Sequence, residues 1–175
     1  MWQTLLEELR PLEIVTVALD SDPALARPWI EKAKPDHPSL IDERHVVDRM
    51  FGIVNVPTGV WIDERGMIVR PPETAYPRRP AFLDDSKVPE VRQLRIEAEK
   101  YVNALREWVA TGRHALSADE VVRRSRIRSV EEEAAATHFE RGLELHRSGN
   151  RDAALEQFRE AVRLHPANWT YRRQA

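Results

Sequence analysis

Site chemistry needs a nucleophile, a proton carrier, a metal ligand or a phosphate cradle, and this sequence arranges few such residues in usable patterns. Cysteine is absent from its 175 residues, which removes disulfides, thiolate nucleophiles and cysteine-ligated zinc or iron–sulfur centres. Histidine and aspartate gather at His37, Asp42, His45 and Asp48. Asp42 and His45 stand three apart and share a helix face. No Glu-x-x-His pair or repeated ligand motif accompanies them, so the set reads as polar surface and no metal is expected. His138 and His146 lie about 80° apart around a helix and read as ordinary helix residues. Asp84 and Asp85 show no pairing suited to acid–base work, and Ser39 and Ser86 lack a nucleophile-elbow setting. The six glycines form no phosphate loop. The expectation is therefore no catalytic residue and no cofactor. Arg123, Arg124, Arg126 and Arg128 make a basic run, but Glu131, Glu132 and Glu133 follow at once and offset it. With a net charge of -2 for the whole chain, that run reads as a solvated surface between helices, and nucleic acid is not an expected partner.

The elements that must position these residues change character along the chain. Residues 1–90 carry 11 Lys+Arg against 16 Asp+Glu, and residues 91–175 carry 16 against 13. Pro71, Pro72, Pro77, Pro80 and Pro89 mark the divide and predict an irregular, extended connection. Before it, Trp2, Leu5, Leu6 and Leu9 have helical spacing that Pro11 stops. Ile14–Leu19 is a β-branched run, read as a strand covered on both faces. Asp22-Pro23 opens a helix to about Ala33, which Pro28 shortens or kinks. Ser39–Ile41 is a short strand, Asp42 caps a helix through Val46, Val47 and Met50, and Gly52 suits its exit. Thr58–Ile62 and Met67–Val69 are strands joined by a tight Glu64-Arg65-Gly66 turn. This order gives an α/β layer. After the prolines, Val91, Leu94, Ala98, Tyr101, Leu105 and Trp108 make one apolar helical seam that ends at Thr111-Gly112. Ser117 with Glu120, and Ser129 with Glu132, are capping boxes. Ser148-Gly149-Asn150 then splits two antiparallel helices, roughly 131–147 and 151–165. Trp29, Trp61 and Trp108 sit at periodic apolar positions and are expected in the core.

Phe51-Gly52-Ile53-Val54-Asn55-Val56-Pro57-Thr58-Gly59-Val60-Trp61-Ile62-Asp63, with its Glu64-Arg65-Gly66 turn and following strand, resembles the second half of thioredoxin-like proteins of the ResA/TlpA and AhpC/TSA redoxin type. Ile14–Asp20 is similar to the second core strand of that family. The resemblance covers residues 1–75 and implies a cis proline at Pro57. It also implies a peptide groove at Val56, Pro57 and Thr58, where the backbone before the proline pairs with an extended substrate; the alternative is that this segment is fold geometry only. The family's cysteine motif and the strand before it have no counterpart here, because the chain begins within the helix that follows them. Ile14–Leu19 and Thr58–Ile62 would then flank a vacant central slot. The parent protein extends upstream of Met1, or the two strands pair directly, or another chain covers the edge; the first is favoured.

Gly142, Ala154, Phe158, Ala161 and Pro166, with Gly149-Asn150 at the turn, resemble one tetratricopeptide repeat, from which His138, Arg141 and Leu145 depart. One repeat cannot bury its own faces, and Asn168-Trp169-Thr170-Tyr171 starts a further helix that caps it. The expected organisation is an α/β thioredoxin-like domain over 1–75 that lacks its first core strand, a proline-rich connection over 76–90, a long helix and linker helix over 91–128, and a tetratricopeptide-like helical region over 129–175. The expected function is a redox-inactive protein-interaction module with a protein partner. The competing expectation is a thiol–disulfide oxidoreductase or peroxiredoxin-like enzyme whose cysteine lies upstream of Met1. A homodimer through the open sheet edge or the Val91–Trp108 seam is a further possibility, although packing of that seam within the chain is the equal alternative. No apolar run reaches the roughly 18 residues of a membrane span. Met1-Trp2-Gln3-Thr4 lacks the start of a secretory signal, so the expected location is cytoplasmic; a longer parent chain carrying a signal would be extracytoplasmic.

Overall fold

The computed structural model describes residues 2–75, 89–125 and 127–174. The expected connection over 76–90 lies outside them except for its last two residues, as do Asp84, Asp85, Ser86 and Arg126. Among the described residues the chain is mixed α/β, with eight helices and two small sheets, and is helical from Pro89 onward. It divides into two compact units that interleave along the sequence: Met1–Val15, Asp36–Pro38 and Pro57–Arg124 form one, and Thr16–Pro35, Ser39–Val56 and Ser125–Ala175 form the other. The stretch 1–75 thus contributes to both.

The first unit holds α1 (Trp2–Glu8), the antiparallel hairpin of β3 (Thr58–Ile62) and β4 (Ile68–Thr74), α4 (Pro89–Thr111) and α5 (Ala118–Arg124). Gly66, at φ +77, makes the hairpin turn that the sequence predicts, and Asp63 accepts from the Arg65 and Met67 backbone N–H groups within it. Pro71 and Pro72 do not begin an irregular connection: β4 runs through both to Thr74. A two-stranded hairpin has only edge strands, and register shifts around Trp61 interrupt its ladder, so a missing proline N–H costs it little. Leu5, Leu9, Trp61, Val69 and Leu105 form the core, with Tyr101 and Trp108 packed against it. From Ala98 to Trp108 the apolar seam of α4 is therefore occupied inside this unit. Trp61 stacks on Trp108 at 5.1 Å, donates its indole N–H to the Tyr101 hydroxyl at 2.9 Å and lies under the Arg70 guanidinium at 4.5 Å. Gly59 permits that approach, because a Cβ there would stand 2.6 Å from the Tyr101 hydroxyl.

The second unit holds β1 (Thr16–Ala18) paired in parallel with β2 (Ser39–Ile41), together with α2 (Pro23–Ala33), α3 (Val46–Phe51), α6 (Val130–Arg147), α7 (Arg151–Leu164) and α8 (Trp169–Gln174). β1 and β3 do not pair with each other; each belongs to its own two-stranded sheet. With a single neighbour, β1 is half-buried rather than covered on both faces. Asp22 caps α2, and Pro28 removes one backbone donor without shortening the helix. Trp29 is not core: it is 70% exposed, with the Lys32 ammonium 5.9 Å from its ring. Periodicity marks a stripe but not its width, and here burial is complete only at Ala26.

α6 and α7 form the helical hairpin that the sequence predicts. The Ser129–Glu132 capping box starts α6, and Gly149, at φ +84, turns the chain. Ala135, Phe139, Leu143, Ala154, Phe158, Ala161 and Tyr171 are its shared core. Gly142 lets the helices close, since a Cβ there would meet the Phe158 ring at 2.5 Å. Asn168 accepts from the Thr170 and Tyr171 backbone N–H groups and so starts α8, which lays Tyr171 over Phe139 at 4.4 Å.

Candidate functional site

The polar residues collected inside the second unit are those that the sequence scattered. Asp42 accepts from the Arg44 and Val47 backbone N–H groups and ties down the entry to α3. That entry puts His45 in the left-handed region at φ 55, an uncommon conformation for a residue with a side chain. His45 and Asp48 are each 3% exposed, so the reading of this set as polar surface is corrected for both. Their sequence spacing shows a shared helix face; it does not show that Phe139 of α6 closes over it, edge-on to the imidazole at 5.0 Å. His45 Nδ1 and Asp48 Oδ2 are 2.9 Å apart. A carboxylate can only accept, so Nδ1 is the donor of this pair. Nε2 is buried and has no hydrogen-bond partner among the described residues.

A second imidazole–carboxylate pair lies nearby. Glu132 is spent first on the capping box, where Oε2 accepts from the Ser129 backbone N–H at 3.0 Å; Oε1 stands 3.4 Å from His165 Nε2, and both residues are buried. Tyr171 lies edge-on to His165 at 6.1 Å. Burial, and then the Asp48 carboxylate, push the Tyr171 phenol up to about 12, so it is a neutral hydroxyl at ordinary pH.

Two hollows open on these groups. A cavity of about 30 Å³ is lined by Asp48, Gly52, Glu132, His165 and Tyr171, among others, and is large enough for one water. A cleft of about 360 Å³ runs between the α3 entry and α6, at the lower end of the size that holds small ligands or inserted side chains. His45, Asp48, Ala136, Phe139 and Tyr171, all buried, form its floor. Arg44, Arg49, Met50, Arg128, Glu133 and Glu140 also line it. Two ion pairs join these residues, Arg49 to Glu140 at 2.9 Å and Arg128 to Glu133 at 3.3 Å, and Arg128 also donates to the Arg49 carbonyl. Val46 lines it too, and Val46 and Met50 are 48% and 73% exposed.

The residues singled out from sequence fall elsewhere. Val56 donates its N–H to the neighbouring Asn55 side chain at 2.9 Å, the Pro57 carbonyl accepts from Ala75 at 3.1 Å, and Thr58 opens β3 opposite Thr74. The expected cis bond at Pro57 is corrected: among the described residues the cis peptide is Arg10–Pro11. The trans form is the ordinary preference of an X–Pro bond. Gly142, Ala154, Phe158 and Ala161 meet in the helical core, while Pro166 is exposed after α7. Of the basic run, Arg123 and Arg124 pair with Glu120, and Arg128 enters the cleft lining. No group of three or more His, Asp or Glu suited to a metal ion occurs among the described residues, and no helix there is long and apolar enough to cross a membrane. No family model, curated protein or solved structure matches the chain.

Proposed function

We propose that the chain is a protein-interaction module that performs no thiol chemistry, built from thioredoxin-like elements and a tetratricopeptide-like helical end. Dithiol exchange and cysteine-based peroxide reduction both need a thiolate, and the sequence contains no cysteine to form one. The hairpin that follows Val56-Pro57-Thr58 supports the first resemblance, and the close fit of Gly142 on Phe158 supports the second. The observation that carries the docking role is the cleft of about 360 Å³ beside α3, with its aromatic and polar floor, its charged residues and the exposed Val46 and Met50 beside it. Exposed apolar side chains around a concavity with a buried floor are the anatomy of a contact surface.

The test is a photo-reactive amino acid placed at Met50 and, in a second chain, at Met67, which is 60% exposed and lies in the other unit. Irradiation in cells should give a discrete protein adduct from position 50 and none from position 67. Adducts from both positions alike, or from neither, would contradict docking through this cleft.

A further inference from the structure

We propose that the cleft beside α3 is a contact surface between two copies of this chain related by a two-fold axis; this rests on the docking role above and names its partner. The accessible charges of the cleft are sorted by wall. Asp48 is buried and held by His45, and Arg128, whose side chain is 20% exposed, is taken by Glu133 and the Arg49 carbonyl. Arg44 and Arg49 remain exposed on the α3 wall, and Glu133 and Glu140 on the α6 wall.

Equal numbers of both signs give this surface no preference for a cationic or an anionic partner. A second copy of the same surface does match it. A two-fold axis along the cleft lays the α3 wall of one chain on the α6 wall of the other, so Arg49 of each copy faces Glu140 of the other. The exchange of partners costs little. Within one chain the Arg49 and Glu140 side chains are 49% and 58% exposed, and pairs that open to water contribute little.

The apolar side chains of the same surface gain from that step. Val46 and Met50 are exposed on the α3 wall, and Val130, 83% exposed, lies one turn before Glu133 on α6. Their burial drives association, and the charges around them fix its register. This surface is not the α4 seam weighed from the sequence, where Leu105 and Trp108 pack inside the first unit.

The test is sedimentation of the full chain combined with an exchange of charge. The unaltered chain should form a dimer within roughly 1–100 μM. Arg49→Glu sets carboxylates against each other at both symmetric contacts, and Glu140→Arg sets guanidinium groups against each other. Each variant alone should dimerise roughly tenfold more weakly or worse, because like charges placed together are strongly unfavourable. An equimolar mixture of the two restores opposite charges at both contacts and should recover the lost affinity; an effect on either fold alone would not be undone by mixing. Both side chains are half exposed, so both variants should fold, which circular dichroism checks. A chain that stays monomeric through about 100 μM, single variants that dimerise as the unaltered chain does, or a mixture no tighter than its components would overturn the proposal. The adduct at position 50 reads the same contact with every charge in place, and twice the mass of the chain is expected. An adduct with a different protein would overturn the second copy and leave the docking role standing; no adduct would remove both.

Discussion

Gly142 is a residue without room for one more carbon. A methyl group there would stand 2.5 Å from the Phe158 ring, inside the contact between α6 and α7. Gly142→Ala gains about 1 kcal/mol in helix propensity and meets an overpacking cost of about 1–3 kcal/mol. A net loss of up to about 2 kcal/mol in urea unfolding is expected, and a more stable variant would show that the helices do not close at this point. Tyr171 gives a pH signature. Its phenol titrates near 10 when unfolded and at about 12 when folded, so folding favours the protonated form. The stability this confers is complete below pH 10 and is lost as the pH rises through 12. Difference absorbance of the chain against Tyr171→Phe should show a phenolate forming near pH 12; one forming near pH 10 would contradict the burial of this ring. Gly142 and Phe158 were legible in the sequence because their spacing follows a helical repeat. The burial of His45 and Asp48 was not, because it depends on Phe139, some 90 positions away along the chain.

At the scale of elements, the local signals translated well and the distant ones did not. Asp22 at α2, Ser129–Glu132 at α6, Gly52 after α3 and Gly66 in the hairpin each occupy the turn or cap that their residue type favours. These positions are decided within four or five residues. Strand partnership is not: Ile14–Leu19 carries no mark that its ladder would reach Ser39–Ile41, and Pro71-Pro72 carries none that an edge strand would absorb both. The seam of α4 shows the same limit. Its period was plain, but its occupant, the Trp61 face of the hairpin with Leu5 and Leu9 of α1, was only one of several open choices. Leu105, 4% exposed at the centre of that packing, supplies the check. Leu105→Ala should cost about 2–5 kcal/mol, as deletion of a buried leucine does. A loss well under 1 kcal/mol, measured by thermal or urea unfolding, would mean that the seam does not pack there.

The chain forms two units that interleave along the sequence, and the second buries His45 and Asp48 under one cleft and Glu132 and His165 beside a smaller hollow. Burying a polar group without a partner is unfavourable, and His45 Nε2 is such a group among the described residues. With no cysteine in the chain, thiol chemistry has no nucleophile, and the role proposed for the cleft is docking. The absence of cysteine was legible in the sequence; the cleft was not, because it is assembled from α3, α6 and α8 only after folding. The most direct measurement is the affinity of the partner recovered from position 50, titrated against the intact chain and against Met50→Glu. That side chain is 73% exposed, so the substitution leaves the fold alone while placing a charge beside the cleft. At least a tenfold loss of affinity is expected, and an unchanged dissociation constant would contradict the assignment of this surface.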